Sequence, residues 1–265
     1  MRTLLLVHAH PDDESILTGG VIALAHRDGH RVVLVTATQG EDGDRPDAAV
    51  LALGELRRHE LEAACVILGV DRLELLGYRG SEFEPDGAAP EPDALRSASV
   101  SEVAARVVAV LRAERPDVVV TYGPDGTYGH PDHVMVHRAT VAAVGMLADE
   151  GWVPSKLYLH AVPTGLVATV LQAAQAADIE LPETVTRTHG TPEGEITTIV
   201  DVSTVLDQKL AAAVEHRSQM QVGLPLAAMA AGVFEMAFGV ERFVLLRGER
   251  TADERPETSL FSGLH

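Results

Sequence analysis

The chain has 265 residues, 46% of them hydrophobic and 23% charged, enough apolar material to bury a large core in one α/β domain. Its formal net charge of −18 argues against attraction to nucleic acid or to an anionic membrane through a general electrostatic field. Cys65 is the single cysteine, so no intramolecular disulfide forms, and residues 4–7 are too short an apolar run for a signal peptide; the expected location is the cytoplasm.

Strand and helix signals alternate along the chain. Residues 4–7 are continuously apolar, as in a strand covered on both faces, and a helix starting within 15–20 closes at Gly29. Residues 31–38, rich in valine and threonine, form the second strand, and 40–47 read as a loop. Leu53, Leu56, Leu61, Ala64 and Leu68 make a helical stripe that Gly69 caps. A strand over 72–76, a loop over 77–92, a helix over 100–114 and a strand over 117–122 follow. A glycine-rich loop spans 123–129, Pro131 starts a helix to about 149, and 156–162 form a fifth strand. Beyond this the rhythm changes. Residues 195–202 alternate like an edge or antiparallel strand, 203–220 form an amphipathic helix, 242–247 a further strand, and 249–265 a polar tail. The expected fold is a doubly wound, mostly parallel, Rossmann-like α/β sheet over 1–162. A smaller C-terminal α+β cap and tail cover 163–265, the whole forming one domain, 1–265.

Two short segments carry the chemistry: His10-Pro11-Asp12-Asp13 and His130-Pro131-Asp132-His133. Each follows an apolar strand, and imidazoles and carboxylates are preferred ligands of a borderline metal. In open parallel sheets, ligands sit beyond the carboxyl ends of the strands where strand order reverses. The first and fourth strands are neighbours there, so the two clusters are expected to meet. A catalytic zinc takes about three protein ligands and an open position. His10, Asp13 and His133 satisfy that set. Asp12 remains as a general base, His130 as a donor to an oxyanion, and Asp132 as the carboxylate holding the proton on His130. A single His-x-x-Asp pair is usually a cap beside a solvated side chain; two at matched strand ends are not. His8, His26, His30, His59 and His137 read as solvated or locally hydrogen-bonded. Glu14 reads as a helix-start residue favoured by the dipole, with support of the site as the lesser reading.

At these residues the chain resembles the LmbE / PIG-L family of zinc-dependent N-acetylglucosaminyl deacetylases. The likeness runs through His8-Ala9-His10-Pro11-Asp12-Asp13-Glu14, through residues 121–133 (TYGPDGTYGHPDH), and through Arg57 with Glu60-Leu61. Lys209, His216-x-x-Gln219 and Glu257-Thr258-Ser259-Leu260 look like the mycothiol-pathway branch, which contains the N-acetylglucosaminyl-inositol deacetylase and the mycothiol conjugate amidase. The resemblance implies zinc, or ferrous iron (Fe2+) in the cell, on His10, Asp13 and His133, with Asp12 as general base. It implies that His130 assists the oxyanion or the leaving amine, that Asp132 tunes it, and that Tyr128 polarises the amide carbonyl. Arg57 would contact substrate, and Asp44 stands where that deacetylase has a glutamate near the inositol. The segment 44–54 is shorter than in that enzyme and 77–92 differs from it.

The implied activity is hydrolysis of the acetamide of an N-acetylglucosamine derivative. The alternatives are an amidase acting on a larger amide, such as a mycothiol S-conjugate or an antibiotic-type glycoside, and a nucleotide-binding module. The last is disfavoured because His-Pro-Asp-Asp, not Gly-x-Gly-x-x-Gly, follows the first strand. The expected partner is a small amino sugar, with no nucleic acid and no membrane; a homo-oligomer is left open.

Overall fold

Leu4, Leu5, Leu6 and Val7 are all fully buried, because helices cover both faces of the strand they form. The computed structural model describes residues 1–41, 50–81, 92–177, 181, 183–220, 238–251 and 256–264. Its strands are β1 (Thr3–His8), β2 (Arg31–Thr38), β3 (Arg72–Tyr78), β4 (Val118–Thr121), β5 (Lys156–Ala161), β6 (Thr198–Asp201) and β7 (Val240–Arg247). They form one seven-stranded sheet in the order β3-β2-β1-β4-β5-β7-β6. The first five strands run parallel, and β7 is antiparallel to both β5 and β6. The fold is therefore mixed α/β with a mostly parallel sheet.

The longer helices are α1 (Asp13–Arg27), α2 (Val50–Leu68), α3 (Val100–Glu114), α5 (Pro131–Asp149), α6 (Thr164–Ala177) and α8 (Leu206–Glu215). The one-turn elements are α4 (Gly126–Gly129), α7 (Glu183–Thr186) and α9 (Arg217–Met220). Strand alternation divides the core. Leu5, Val7, Val33, Val35 and Val119 pack with Val103, Val107 and Leu111 of α3 and Val136 and Ala143 of α5. Leu4, Leu6, Val32, Leu34 and Val120 pack on the other face with Ile22 of α1, Leu61 and Leu68 of α2, and Ala212 of α8.

The expected pairing of the first and fourth strands holds, with Leu4 opposite Val118 and Leu6 opposite Val120. β6 and β7 extend the same sheet, and α8 packs against α1 and α2. The amphipathic helix expected over 203–220 breaks at His216, whose backbone (φ −75, ψ 53) leaves the helical region between α8 and α9. The polar tail is anchored through Glu257, which is fully buried and accepts from Lys156 Nζ at 2.7 Å and Tyr158 OH at 2.8 Å. Among the described residues no helix is long and apolar enough to cross a membrane.

Candidate metal centre and catalytic site

β1 delivers the chain to the carboxyl edge of the sheet, where residues 9–12 turn into α1. Asp12 has φ 117, a left-handed conformation uncommon outside glycine, and Asp13 begins the helix. Across the β1–β4 boundary, Pro131 opens α5 and His130 is its N-cap, its Nδ1 accepting from the Asp132 N–H at 3.1 Å. The two clusters, 120 positions apart in sequence (133 minus 13), converge. His10 Nδ1 lies 3.1 Å from His133 Nε2, Asp13 Oδ1 is 3.4 Å from His133 Nε2, and Asp13 Oδ2 is 3.6 Å from His10 Nδ1.

The outward-facing ring nitrogens settle which atoms face inward. His10 Nε2 lies 3.1 Å from Asp132 Oδ2 and His133 Nδ1 lies 3.1 Å from the Gly126 carbonyl. Both partners only accept, so with a metal bound each histidine would keep a proton on that outer nitrogen and offer the inner one, His10 Nδ1 or His133 Nε2, to the ion. A tetrahedron of ~2.0–2.1 Å bonds has edges of roughly 3.3 Å, within the range of the three separations. The donor set and its spacing fit a zinc-sized divalent ion. His130 also has a ring nitrogen within 4.8 Å of ligand atoms on His10 and His133. Burial opposes charge on His10, yet the Asp13 and Asp132 carboxylates outweigh it and push its pKa up to about 10; this point of the site favours positive charge.

Supporting residues fix this geometry. Asp13 Oδ2 accepts from the His10 N–H at 2.9 Å and from Tyr122 OH at 2.7 Å. The Tyr122 ring stacks on His133 with centroids 4.1 Å apart. Asp132 accepts from the Ser81 N–H at 2.8 Å and Ser81 Oγ at 2.6 Å. Gly126, at φ 65, allows the close approach of its carbonyl, since a Cβ there would lie 2.8 Å from the His133 Cβ.

Asp132 thus serves His10, where the sequence suggested that its carboxylate would hold a proton on His130. The bond between positions 130 and 132 runs instead from the Asp132 main chain to His130 Nδ1. This leaves the His130 proton on Nε2. Burial, with His10 and His133 adding to it, holds the His130 pKa far below the ordinary histidine range, so the ring donates as a neutral imidazole. Tyr128 packs edge-on to His133, with centroids 5.1 Å apart. Burial and the neighbouring Asp13 and Asp12 raise its pKa well above 10, so its hydroxyl keeps its proton.

Asp12 directly precedes Asp13, and its Oδ2 accepts from Arg57. Burial raises its pKa to about 6, against the opposing charge of Arg57. Arg57 is itself buried. Its guanidinium donates to Asp12 Oδ2 at 3.2 Å, the Pro11 carbonyl at 2.7 Å and the Gly40 carbonyl at 3.0 Å. It is neither on the helix surface nor directed at open solvent, and its partner in the helix motif, Glu60, binds Ser218. Removing the Arg57 charge removes the influence that lowers the Asp12 pKa. Arg57→Met is therefore expected to move the acid limb of kcat/KM to higher pH, and Arg57→Lys to move it less; an unmoved limb would separate Arg57 from Asp12. Asp44 lies outside the described residues.

Several supporting residues carried little sequence signal. Tyr122 reads as the end of an apolar strand and Ser81 as loop. Glu14 stands in the first turn of α1, as expected, and is fully buried there, accepting from His216 Nε2 at 2.7 Å. His8 follows the hydrogen-bonded alternative: it is buried, 2.9 Å from Thr18 Oγ1, and burial lowers its pKa to about 4.

The family model described as PIG-L, GlcNAc-PI de-N-acetylase, matches residues 5–144, which include both clusters. A relative from Acidothermus cellulolyticus, 1D-myo-inositol 2-acetamido-2-deoxy-alpha-D-glucopyranoside deacetylase, is 41% identical, covering 100% of this chain and 96% of the relative. Among solved structures, N,N'-diacetylchitobiose deacetylase from Pyrococcus horikoshii superposes with a TM-score of 0.63 at 22% identity, covering 92% of this chain and 84% of that one. GalB, a 4-carboxy-2-hydroxymuconate hydratase from Pseudomonas putida, superposes with a TM-score of 0.61 at 19% identity, covering 96% and 100%. One fold therefore hosts different reactions, and the closer sequence relationship decides. The chain belongs to the PIG-L family, the GlcNAc-PI de-N-acetylases.

Proposed function

We propose that this chain is a cytoplasmic, zinc-dependent deacetylase that removes acetyl from the 2-acetamido group of an N-acetylglucosamine derivative, with N-acetylglucosaminyl-inositol as the leading substrate. The observation that carries the chemistry is the convergence of His10, Asp13 and His133 to within 3.1–3.6 Å of one another, with Asp12 directly preceding Asp13. The substrate reading is supported by the full-length likeness to the Acidothermus deacetylase. The strand order β3-β2-β1-β4-β5 supports a Rossmann-like core with its site at the β1/β4 reversal, and residues 1–265 act as one unit.

Zinc held by His10, Asp13 and His133 would polarise the acetyl carbonyl and lower the pKa of water at its open position. Asp12, with a pKa near 6, is ionised at neutral pH and takes the proton of the attacking water. As the carbonyl oxygen gains charge, the Tyr128 hydroxyl and the neutral His130 Nε2–H donate to it. The C–N bond then breaks, the proton held by Asp12 passes to the departing amine, and acetate and a free amino sugar are formed. Arg57 keeps Asp12 within the pH range where one group serves as base and then as acid.

The test is acetate release from N-acetylglucosaminyl-inositol, N-acetylglucosamine and N,N'-diacetylchitobiose, together with metal content, before and after chelation. Release that is fastest with the inositol glycoside, abolished by chelator and restored by zinc is the expected result. Restoration by ferrous iron but not zinc would overturn the metal assignment. Bound metal with no acetate released from any of the three would transfer the site to larger amides.

A further inference from the structure

The corner between α8 and α9 reaches the catalytic edge from the C-terminal third of the chain by two buried contacts. His216 Nε2 lies 2.7 Å from Glu14 Oε1, and both residues are fully buried. Glu14 Oε2 in turn accepts the main-chain N–H of Asp12 at 3.0 Å, and Oε1 also accepts from Ser15 Oγ at 2.5 Å. Two residues beyond His216, Ser218 binds both oxygens of Glu60, from its N–H at 2.8 Å and its Oγ at 2.6 Å. Glu60 lies one helical turn from Arg57, the residue that holds the Asp12 carboxylate.

The mechanism uses neither Glu14 nor His216, yet burying a charged pair is costly unless it is matched. What it accomplishes is specific. Asp12 is one of three described non-glycine residues with positive φ, and a side-chain-bearing residue stays in that conformation only where its surroundings over-determine it. The bond from Asp12 N–H to Glu14 is a direct restraint on that peptide, and His216 fixes the rotamer of Glu14 that makes it.

We propose that Glu14 and His216 are positioning residues for the general base: the His216–Glu14 pair clamps the Asp12 main chain at φ 117 and so aims its carboxylate at the reacting water. The kinetic part of this inference rests on the deacetylase reading; the structural part stands without it. The break in the C-terminal helix at His216 is then functional, because it turns the imidazole out of the α8 line and into Glu14.

The test compares His216→Ala, His216→Gln and the double variant Glu14→Met/His216→Leu in the full chain. The double variant removes both charges at similar volume, so it leaves no unpaired buried charge and is expected to fold even where His216→Ala does not. Catalysis is sensitive to displacements of about 1 Å. His216→Ala and the double variant are therefore expected to lose about 10- to 100-fold in kcat, with KM and zinc stoichiometry unchanged. His216→Gln, which retains an N–H donor, is expected to keep most of the rate.

A second readout needs no turnover and no metal. The Asp12 amide proton resonance of the zinc-free chain is expected to move upfield in the double variant, as its bond to Glu14 is lost, and to stay nearly in place in His216→Gln. A folded double variant with wild-type kcat and an unmoved Asp12 amide would overturn the proposal. A moved amide with unchanged kcat would overturn the catalytic part of it. A wild-type chain without deacetylase activity would count against the functional reading, while the amide shift would still decide whether the clamp exists.

Discussion

Asp12→Asn is expected to lower kcat by about 10³-fold or more while the chain keeps its metal. General-base assistance accounts for roughly 10²–10⁴-fold in enzymes that use it. In the proposed mechanism the base also returns the proton to the leaving amine, which places the loss toward the upper end. Asparagine is a demanding test. It preserves the side-chain volume and an oxygen for Arg57, and it is among the residues that best tolerate the positive φ of this position. It abolishes the ability to take a proton, together with the negative charge opposite Arg57. The three converging groups belong to His10, Asp13 and His133, so metal stoichiometry should be unchanged. Acetate release and metal analysis on the same preparation check both halves. Turnover within a few fold of wild type would remove Asp12 from the role of base. Loss of metal along with activity would place it among the ligands.

The sequence made the two clusters legible because both consist of residues that are costly to bury without a task, and each sits directly after an uninterrupted apolar run. The pairing of strands one and four could be read because strand–helix alternation leaves few topologies, and the β1–β4 register confirms it. The supporting residues were not legible for an equally physical reason. Tyr122 and Ser81 act through one hydroxyl each, and nothing local distinguishes such a hydroxyl from one at any strand end or loop. The resemblance marked Arg57 as a substrate contact, but its hold on the turn before α1 was not legible, because its bonds go to main-chain carbonyls of Pro11 and Gly40, which no side-chain pattern encodes. The C-terminal third was the least predictable. Its strands join the sheet through β7, which inserts between β5 and β6, and its helix breaks at His216 for a partner 202 positions away. Apolar periodicity carries no trace of such a long-range polar contact.

Glu257→Ala is expected to destabilise the fold by about 3–5 kcal/mol, the usual cost of leaving one member of a buried ion pair alone. That is a large part of the total of roughly 5–15 kcal/mol typical of a folded domain. Lys156 lies on β5 and Glu257 in the tail, 2.7 Å apart, with side chains 2% and 0% exposed. The same carboxylate accepts from Tyr158 OH at 2.8 Å and from the Thr251 N–H at 2.9 Å, so truncation leaves a buried ammonium and other buried donors without their acceptor. Burial alone would raise the pKa of Glu257, but Lys156 and the hydrogen bonds outweigh it and hold it below the ordinary value of 4.5. A carboxylate depressed on folding contributes stability in full above its unfolded pKa, and that contribution fades as pH falls through its folded value. The gap between wild type and Glu257→Ala should accordingly be greatest above about pH 4.5 and narrow in acid. Urea unfolding of Glu257→Ala, Lys156→Met and the double variant Lys156→Met/Glu257→Leu separates the causes. The double variant is expected to recover much of the loss, because it leaves no charge unpaired. If it is as unstable as the sum of the two single variants, the loss comes from packing and the Tyr158 and Thr251 bonds, and the ion pair is not what locks the tail to β5.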